Sequence, residues 1–499
     1  MTVGALIQLE YGNTERMAFL TLNPQITHFK SVYKKYTNFA TQFITNQPIA
    51  SNSTSLSFDT ETKITFQLPR DGDAVRDMYL TLELPDIYSD TNYKFQWIKR
   101  IGEYIVKSVS LQIDTNQNVD KHYAEWFHAY SELNYDEGKK KGYYEMIGNV
   151  PEMYDPANAP GNNGQYPSTS YAPSIINRKI YLPLIFWFNK FASMSFPLIS
   201  IQKTIININF TFRSLNELYT IIDYTGDGGT GYRIKPKNEL KYYIGNFLSL
   251  QKPVTPKNDL YFNPRLEINN VFLDNEERKR FSLASHEYLI TQLQAKEKIC
   301  NSIDSIDLID INKPVTELVF MIRRSDMKDV NDWSNYTNWN ITDIPPYSNG
   351  YSNPYGPPLT IDSNNIKYYK TKNLLKSAVL RLNTHEITTG YVVNNDTLDK
   401  IDGKDSVFYN KMQNFNSNKN IPSEGIYTYS FSLDNSSLQP IGAVNMSSIS
   451  NKDILLNLTN INPNGGYNGI KYTYTVYVFA INYEILKIMG GQVGTMTAN

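Results

Sequence analysis

The stretch "IININFTFR", residues 205–213, alternates with period two. Ile206, Ile208, Phe210 and Phe212 fall on one face of an extended chain, and Asn207, Asn209, Thr211 and Arg213 on the other. Successive side chains of a strand point to opposite sides of its sheet, so this is the pattern of an antiparallel strand with one buried and one wet face. Just before it lies the most apolar part of the chain, "LPLIFWFNKFASMSFPLISIQ" (182–202). A spanning helix needs roughly 20 mostly apolar residues in a row. Here Asn189 and Lys190 sit mid-stretch, and Pro183 and Pro197 break helical geometry, so a membrane span is rejected. Pro183 is expected to open a strand edge, with Leu184, Phe186 and Phe188 alternating with Ile185 and Trp187 across a pleat. "NKFASMSF" reads as a loop, and Pro197 as the re-entry into a strand running to Phe212. The apolar mass then fills a core. Ile185 and Trp187, on the second face, are candidates for the contact between two barrels or between subunits.

The same alternation recurs outward in both directions. "DMYLTLELP" places Met78, Leu80, Leu82 and Leu84 together, "KITFQLP" Ile64, Phe66 and Leu68, and "IYTYSFSLD" Tyr427, Tyr429, Phe431 and Leu433. "KYTYTVYVFAINYEIL" is apolar or aromatic on both faces, as in a strand covered on both sides. With 38 Tyr and 23 Phe favouring strands, and 24 Pro and 26 Gly punctuating them, the chain reads as all-β. Its 499 residues exceed one ordinary core. The expected architecture is two tandem eight-stranded antiparallel jelly-roll sandwiches with long surface loops and a few short helices. An N-terminal arm covers 1–24, a first jelly roll 25–222, a linker 223–240 and a second jelly roll 241–499. Helices are expected after Asn23–Pro24, with Ile26, Phe29, Val32, Tyr33 and Tyr36 at helical spacing, and at Asp274–Glu277, a capping-box arrangement. Residues 149–173 and 331–369 read as long loops whose aromatics favour packing.

Charge and motifs narrow the function. With 48 basic against 49 acidic residues the net charge is −1, which points away from nucleic acid as a direct partner. The lone Cys300 excludes an internal disulfide framework, and "MTVGALIQLEYG" lacks the basic start of a secretory signal. Gly226, Gly228 and Gly231 match G-x-G-x-x-G, but "YRIKPKNEL" follows where a dinucleotide site needs a helix. Asp223 and Asp227 begin like a calcium loop, yet Ile234 stands where its bidentate Glu belongs. His122 and His128 flank Glu125 at a spacing that fits no zinc-protease helix, and Trp126 and Phe127 beside them read as packing residues. Carboxylates are plentiful and none is singled out. Catalytic, metal and cofactor residues are therefore set at none. The clusters holding Lys34 ("KKYTNF") and Arg278 ("ERKR") are either solvated faces or subunit contacts. Asn335 and Asn340 are glycosylation sequons in an expected surface loop.

Five blocks carry a family resemblance: "LTLNPQITHFKSVYKKYTNFA" (20–40), "IYLPLIFWFNKFASMSFPLISIQKTIININFTF" (180–212), "VFLDNEERKRFSLASHEYLITQLQ" (271–294), "GIYTYSFSLDNSSLQPIGAVNMSSI" (425–449) and "YVFAINYEILKIMGGQVG" (477–494). In this order they resemble the major capsid proteins of nucleocytoplasmic large DNA viruses. The resemblance implies a double jelly roll and a homotrimer with pseudo-sixfold outline. It also implies an icosahedral shell over an inner membrane layer, with minor capsid and vertex proteins as further partners. The place would be the virion, after assembly in the host cytoplasm, and the role assembly rather than catalysis. Three rival readings stay open: a membrane-shaping scaffold of the same fold, a minor capsid protein, and a carbohydrate-binding β-sandwich using Trp333 and Trp339.

Overall fold

A computed structural model describes residues 2–496 except 12–14, 50–53, 115–116, 168, 170–171, 226–231, 339–372, 384, 395–396, 402 and 460–472. Eight strands build the first roll: β1 (Phe39–Asn46), β2 (Thr62–Gln67), β3 (Ala74–Leu84), β4 (Val106–Ile113), β5 (Gln117–Tyr123), β6 (Arg178–Pro183), β7 (Ile206–Phe212) and β8 (Arg265–Leu273). They form two antiparallel four-stranded sheets in the orders β1-β8-β3-β6 and β2-β7-β4-β5. Each long-range pairing joins a strand of the first half of the unit to one of the second half, which is the wrapped connectivity of a jelly roll. β7, the strand of the opening quotation, lies between β2 and β4. Ile206, Ile208, Phe210 and Phe212 are buried as the alternation requires. On its other face Asn209 accepts from Thr65 Oγ1 at 2.8 Å and donates to Gln112 Oε1 at 2.7 Å, a polar ladder across three strands.

The second roll repeats this plan: β9 (His286–Cys300), β10 (Ile303–Asp307), β11 (Pro314–Arg324), β12 (Leu375–Leu382), a split β13 (His385–Glu386 and Lys404–Asp405), β14 (Ile426–Ser430), β15 (Lys452–Leu458) and β16 (Tyr474–Met489). Its sheets run β9-β16-β11-β14 and β10-β15-β12-β13, the first roll's order shifted by eight. The hairpin Gly390–Asn394/Thr397–Ile401 separates the two pieces of β13.

Several sequence expectations need correction. The boundary is not at 223–240. Residues Tyr219–Asp223 pair with both Tyr232–Ile234 and Tyr93–Trp97, Asp259–Tyr261 pairs with Ser55–Ser57, and β8 inserts between β1 and β3. The first roll therefore closes only at Leu273, because its last strand must return beside its first. The stretch after Pro183 is not a strand. Leu184–Phe188 are all buried, and Trp187–Lys190 forms one helical turn. Pro197 leads into the short turn Leu198–Ser200, and the strand begins only at Ile206. No helix follows Asn23–Pro24. Instead Val3–Tyr11 and Glu15–Thr21 are helical, and residues 31–38 belong to no helix or strand. The expected helix at Asn275–Leu283 is present, with Asp274 Oδ1 accepting from the amides of Glu276 and Glu277 at 3.1 and 2.8 Å.

The two rolls share a wall. Along β11, Leu318, Phe320 and Ile322 belong to the second core, whereas Val319 and Met321 belong to the first. β16 divides likewise: Val476, Val478 and Ala480 face inward, and Phe479 joins the first core. This is why its sequence is apolar on both faces.

Candidate assembly interfaces

Charged groups are concentrated where the rolls meet. Arg323 continues the Val319–Met321 face of β11 and is 0% exposed. Its guanidinium reaches Glu125 Oε1 at 3.2 Å, Tyr336 OH at 2.8 Å and Tyr477 OH at 2.9 Å. Arg213, at the end of β7, holds the same Glu125 oxygen at 3.1 Å and stacks over the Trp333 ring at 4.5 Å. Burial would raise the Glu125 carboxyl, but the two guanidiniums hold it below its ordinary value. Tyr336 OH continues to Tyr104 OH at 2.8 Å and on to His128 Nδ1 at 2.9 Å. Burial, reinforced by Arg100, keeps His128 well below the usual imidazole range. Strand ends of one roll and the helix Ala124–Asn134 of the other thus meet around one carboxylate.

A second cluster anchors that helix. Arg100 binds Glu103 through two bonds of 2.6 and 2.8 Å, and Glu132 at 3.0 Å. Lys140 and Tyr144 complete Glu132 at 2.9 and 2.7 Å, and Tyr143 donates to Glu103 at 2.7 Å. Burial would raise Glu132, yet Arg100 and Lys140 bring it well below the carboxylate range. From the second roll, Asn420 donates its side-chain amide to Glu132 O at 3.0 Å and its backbone amide to Leu133 O at 3.1 Å. All these carboxylates are buried and matched by cations, so they hold elements together and offer no reactive group to solvent.

The loop at 331–338 seals the seam. Asn331 donates to the carbonyls of Asn216 and Tyr219 at 2.7 and 2.9 Å, and Trp333 Nε1 donates to Glu217 O at 2.9 Å. Gly425, with φ 99°, lies so near Tyr336 that a Cβ there would come within 2.5 Å of its carbonyl oxygen. Only glycine lets the two backbones approach this closely. No sequence motif marked this seam. The available signals were single charged residues at the ends of alternating strands, Arg213 and Arg323.

The singled-out residues fall in different places. Ile185 and Trp187 are 5% and 3% exposed, and Trp187 packs edge-on against Phe188 and Phe196 at 5.2 and 6.0 Å. Its one-turn helix lies against β9 of the second roll. Arg278 is half-exposed and binds the buried Asp73 at 3.0 Å. Lys34 is exposed on the arm. Asn335 is not a surface acceptor: it is 1% exposed, with Nδ2 donating to Asp332 Oδ2 at 2.9 Å and Oδ1 accepting from Thr337. Asn340 and Trp339 lie outside the described residues, as do Gly226, Gly228 and Gly231. Trp333 is buried beneath Arg213, which removes it from any glycan-binding face. His122 binds Asp120 at 3.0 Å and stacks on Phe186, and among the described residues no cluster suits a metal ion.

Residues 27–250 match the family described as "Major capsid protein N-terminus", and residues 277–494 that described as "Large eukaryotic DNA virus major capsid protein". The chain is 26% identical to the major capsid protein of Phaeocystis pouchetii virus, over 99% of this chain and 100% of that one. It is also 26% identical to that of Paramecium bursaria Chlorella virus 1, with the same coverage. A probable capsid protein of Acanthamoeba polyphaga mimivirus is 25% identical over 97% of each. Among solved structures, a chain of the PBCV-1 virus capsid superposes with a TM-score of 0.65 over 95% of this chain and all of that chain, at 23% identity. The Faustovirus major capsid protein gives 0.63 over 97% and 96%, at 13%. The doubled strand order and the matches spanning both rolls place this chain in the major capsid protein family of large eukaryotic DNA viruses.

Proposed function

We propose that three copies of this chain close into a ring-like trimer of pseudo-sixfold outline, and that these trimers tile an icosahedral shell in the virion. One observation carries the reading: two rolls of identical strand order share a wall within one chain. A trimer then presents six nearly equivalent walls, which lets one block pack hexagonally. Lys34 and Arg278 lie on accessible segments and are assigned to contacts between copies. Ile185 and Trp187 are assigned to the contact between rolls. Minor capsid and vertex proteins would bridge trimers, an inner membrane layer would lie beneath them, and assembly would take place in host cytoplasm. The test is the absolute mass of purified protein by light scattering, with negative-stain images of the same peak. Three times the chain mass of 57.4 kDa with hexagonal outlines is expected. A stable monomer at high concentration would overturn the reading.

A further inference from the structure

The strongest unexplained surface is the N-terminal arm leading into β1. Phe19, Leu20, Leu22, Ile26, Val32 and Tyr36 are 67–93% exposed, and Phe29 is 99% exposed. Isolated apolar side chains on a surface need no explanation, but a continuous run of this kind marks an interaction site. Among the described residues β1 is itself an edge strand, pairing only with β8, and its first five residues, including Phe39 and Phe43, are exposed. An edge of this kind is a template for a further strand.

We propose that this arm, residues 18–46, docks on a neighbouring copy of the same chain and ties the trimer together, an inference that rests on the trimeric reading above. Two observations choose this occupant. The first is charge. Residues 18–46 hold no Asp or Glu but contain Lys30, Lys34 and Lys35, leaving 45 basic against 49 acidic residues in the rest of the chain. The arm is thus a +3 segment on a body of net charge −4, complementary to another copy of that body. The second is backbone. Residues 31–38 are in no helix or strand, so their amides and carbonyls need partners wherever the aromatics are buried. A bilayer interior cannot supply them, because lipid accepts only backbone already satisfied internally. Protein can, through the free edge of β1 and the loops of a neighbour. The arm is also long enough: the sixteen residues 23–38, which belong to no helix or strand, span at most roughly 50 Å when extended.

The test compares the full chain, a deletion of residues 2–37, and a full-length triple variant Phe29→Ser/Tyr33→Ser/Tyr36→Ser, by light scattering across a dilution series. Circular dichroism and thermal melts show whether each barrel is intact. The arm packs little on its own roll, so both variants are expected to remain folded while trimers dissociate at concentrations on the order of 100-fold higher or more. The charge part is tested by Lys30→Glu/Lys34→Glu/Lys35→Glu, expected to weaken trimers and to flatten their salt dependence. If the deleted and triple variants form trimers as tight as the parent, the arm inference is overturned and the trimer stands. A parent that never trimerises overturns both. Arm-dependent flotation on phosphatidylserine vesicles with trimer affinity unchanged would reassign the arm to a membrane surface and overturn the inference.

Discussion

Glu125→Ala should be among the most destabilising single changes in the chain. Its carboxylate is 5% exposed and is shared by Arg213 and Arg323. Arg213 has a second carboxylate, Glu217, at 3.6 Å, whereas Arg323 is fully buried and keeps only the tyrosine hydroxyls and aromatic rings. Removing one partner of a buried pair leaves an uncompensated charge and costs about 3–5 kcal/mol. That corresponds to roughly two to four powers of ten in the unfolding equilibrium. The assay is urea unfolding at pH 7 and fixed protein concentration, followed by tryptophan fluorescence, since Trp333 lies under Arg213 and reports the seam. Adding Arg323→Met to Glu125→Ala should recover at least about 1 kcal/mol, because the stranded charge is removed. A loss below about 0.5 kcal/mol for Glu125→Ala, or strictly additive losses in the double variant, would refute the account of the seam as an electrostatic clasp.

Other outcomes follow from single sites. Glu317 is 2% exposed and burial pushes its carboxyl up to about 7, even though Asn418 donates to it at 2.6 Å. Its folded-state value lies above the unfolded one, so stability falls as pH rises from about 4.5 to 7 and then levels off. Glu317→Gln should abolish that slope and stabilise the chain at pH 8 by about 2–3 kcal/mol, as read from melts across pH. Trp187→Ala, emptying a site among Phe188 and Phe196, should cost about 3–5 kcal/mol of fold stability, measured by denaturation at one protein concentration. Asp274→Ala removes the cap of Asn275–Leu283 and should cost about 1 kcal/mol, with faster amide exchange confined to that helix. Cys300 is 1% exposed and its thiol is pushed by burial up to about 11, so the native chain should resist thiol reagents at pH 8 and react on unfolding.

Alternation made the strands legible, because a strand with one buried face must write its environment into every second residue. Residues 206–212 were readable for that reason, whereas 474–489 was readable as a run apolar on both faces, the mark of a strand covered on both sides. The run after Pro183 was misread because complete burial erases the alternation that distinguishes a strand from a packed turn: Leu184 to Phe188 are all inside. The boundary was misplaced because glycines near 226–231 signal a turn without saying whether the chain afterwards leaves or returns. Here it returns, and β8 completes a sheet begun more than 200 residues earlier. The arm's helical spacing misled because spacing alone gives no packing partner, and a short helix without one is marginal in water. The seam stayed hidden because Arg213, Glu125, Arg323 and Tyr336 are unremarkable singly and come together only through the topology.

The wall shared by the two rolls has a mechanical consequence. β11 and β16 contribute side chains to both cores, so rotating one roll against the other would tear alternate residues of the same strand out of one core or the other. Such a block has no hinge at its middle. A closed container assembled from it must bend along the lines between blocks, and its radius is then chosen by how neighbours tilt, not by any give within the subunit.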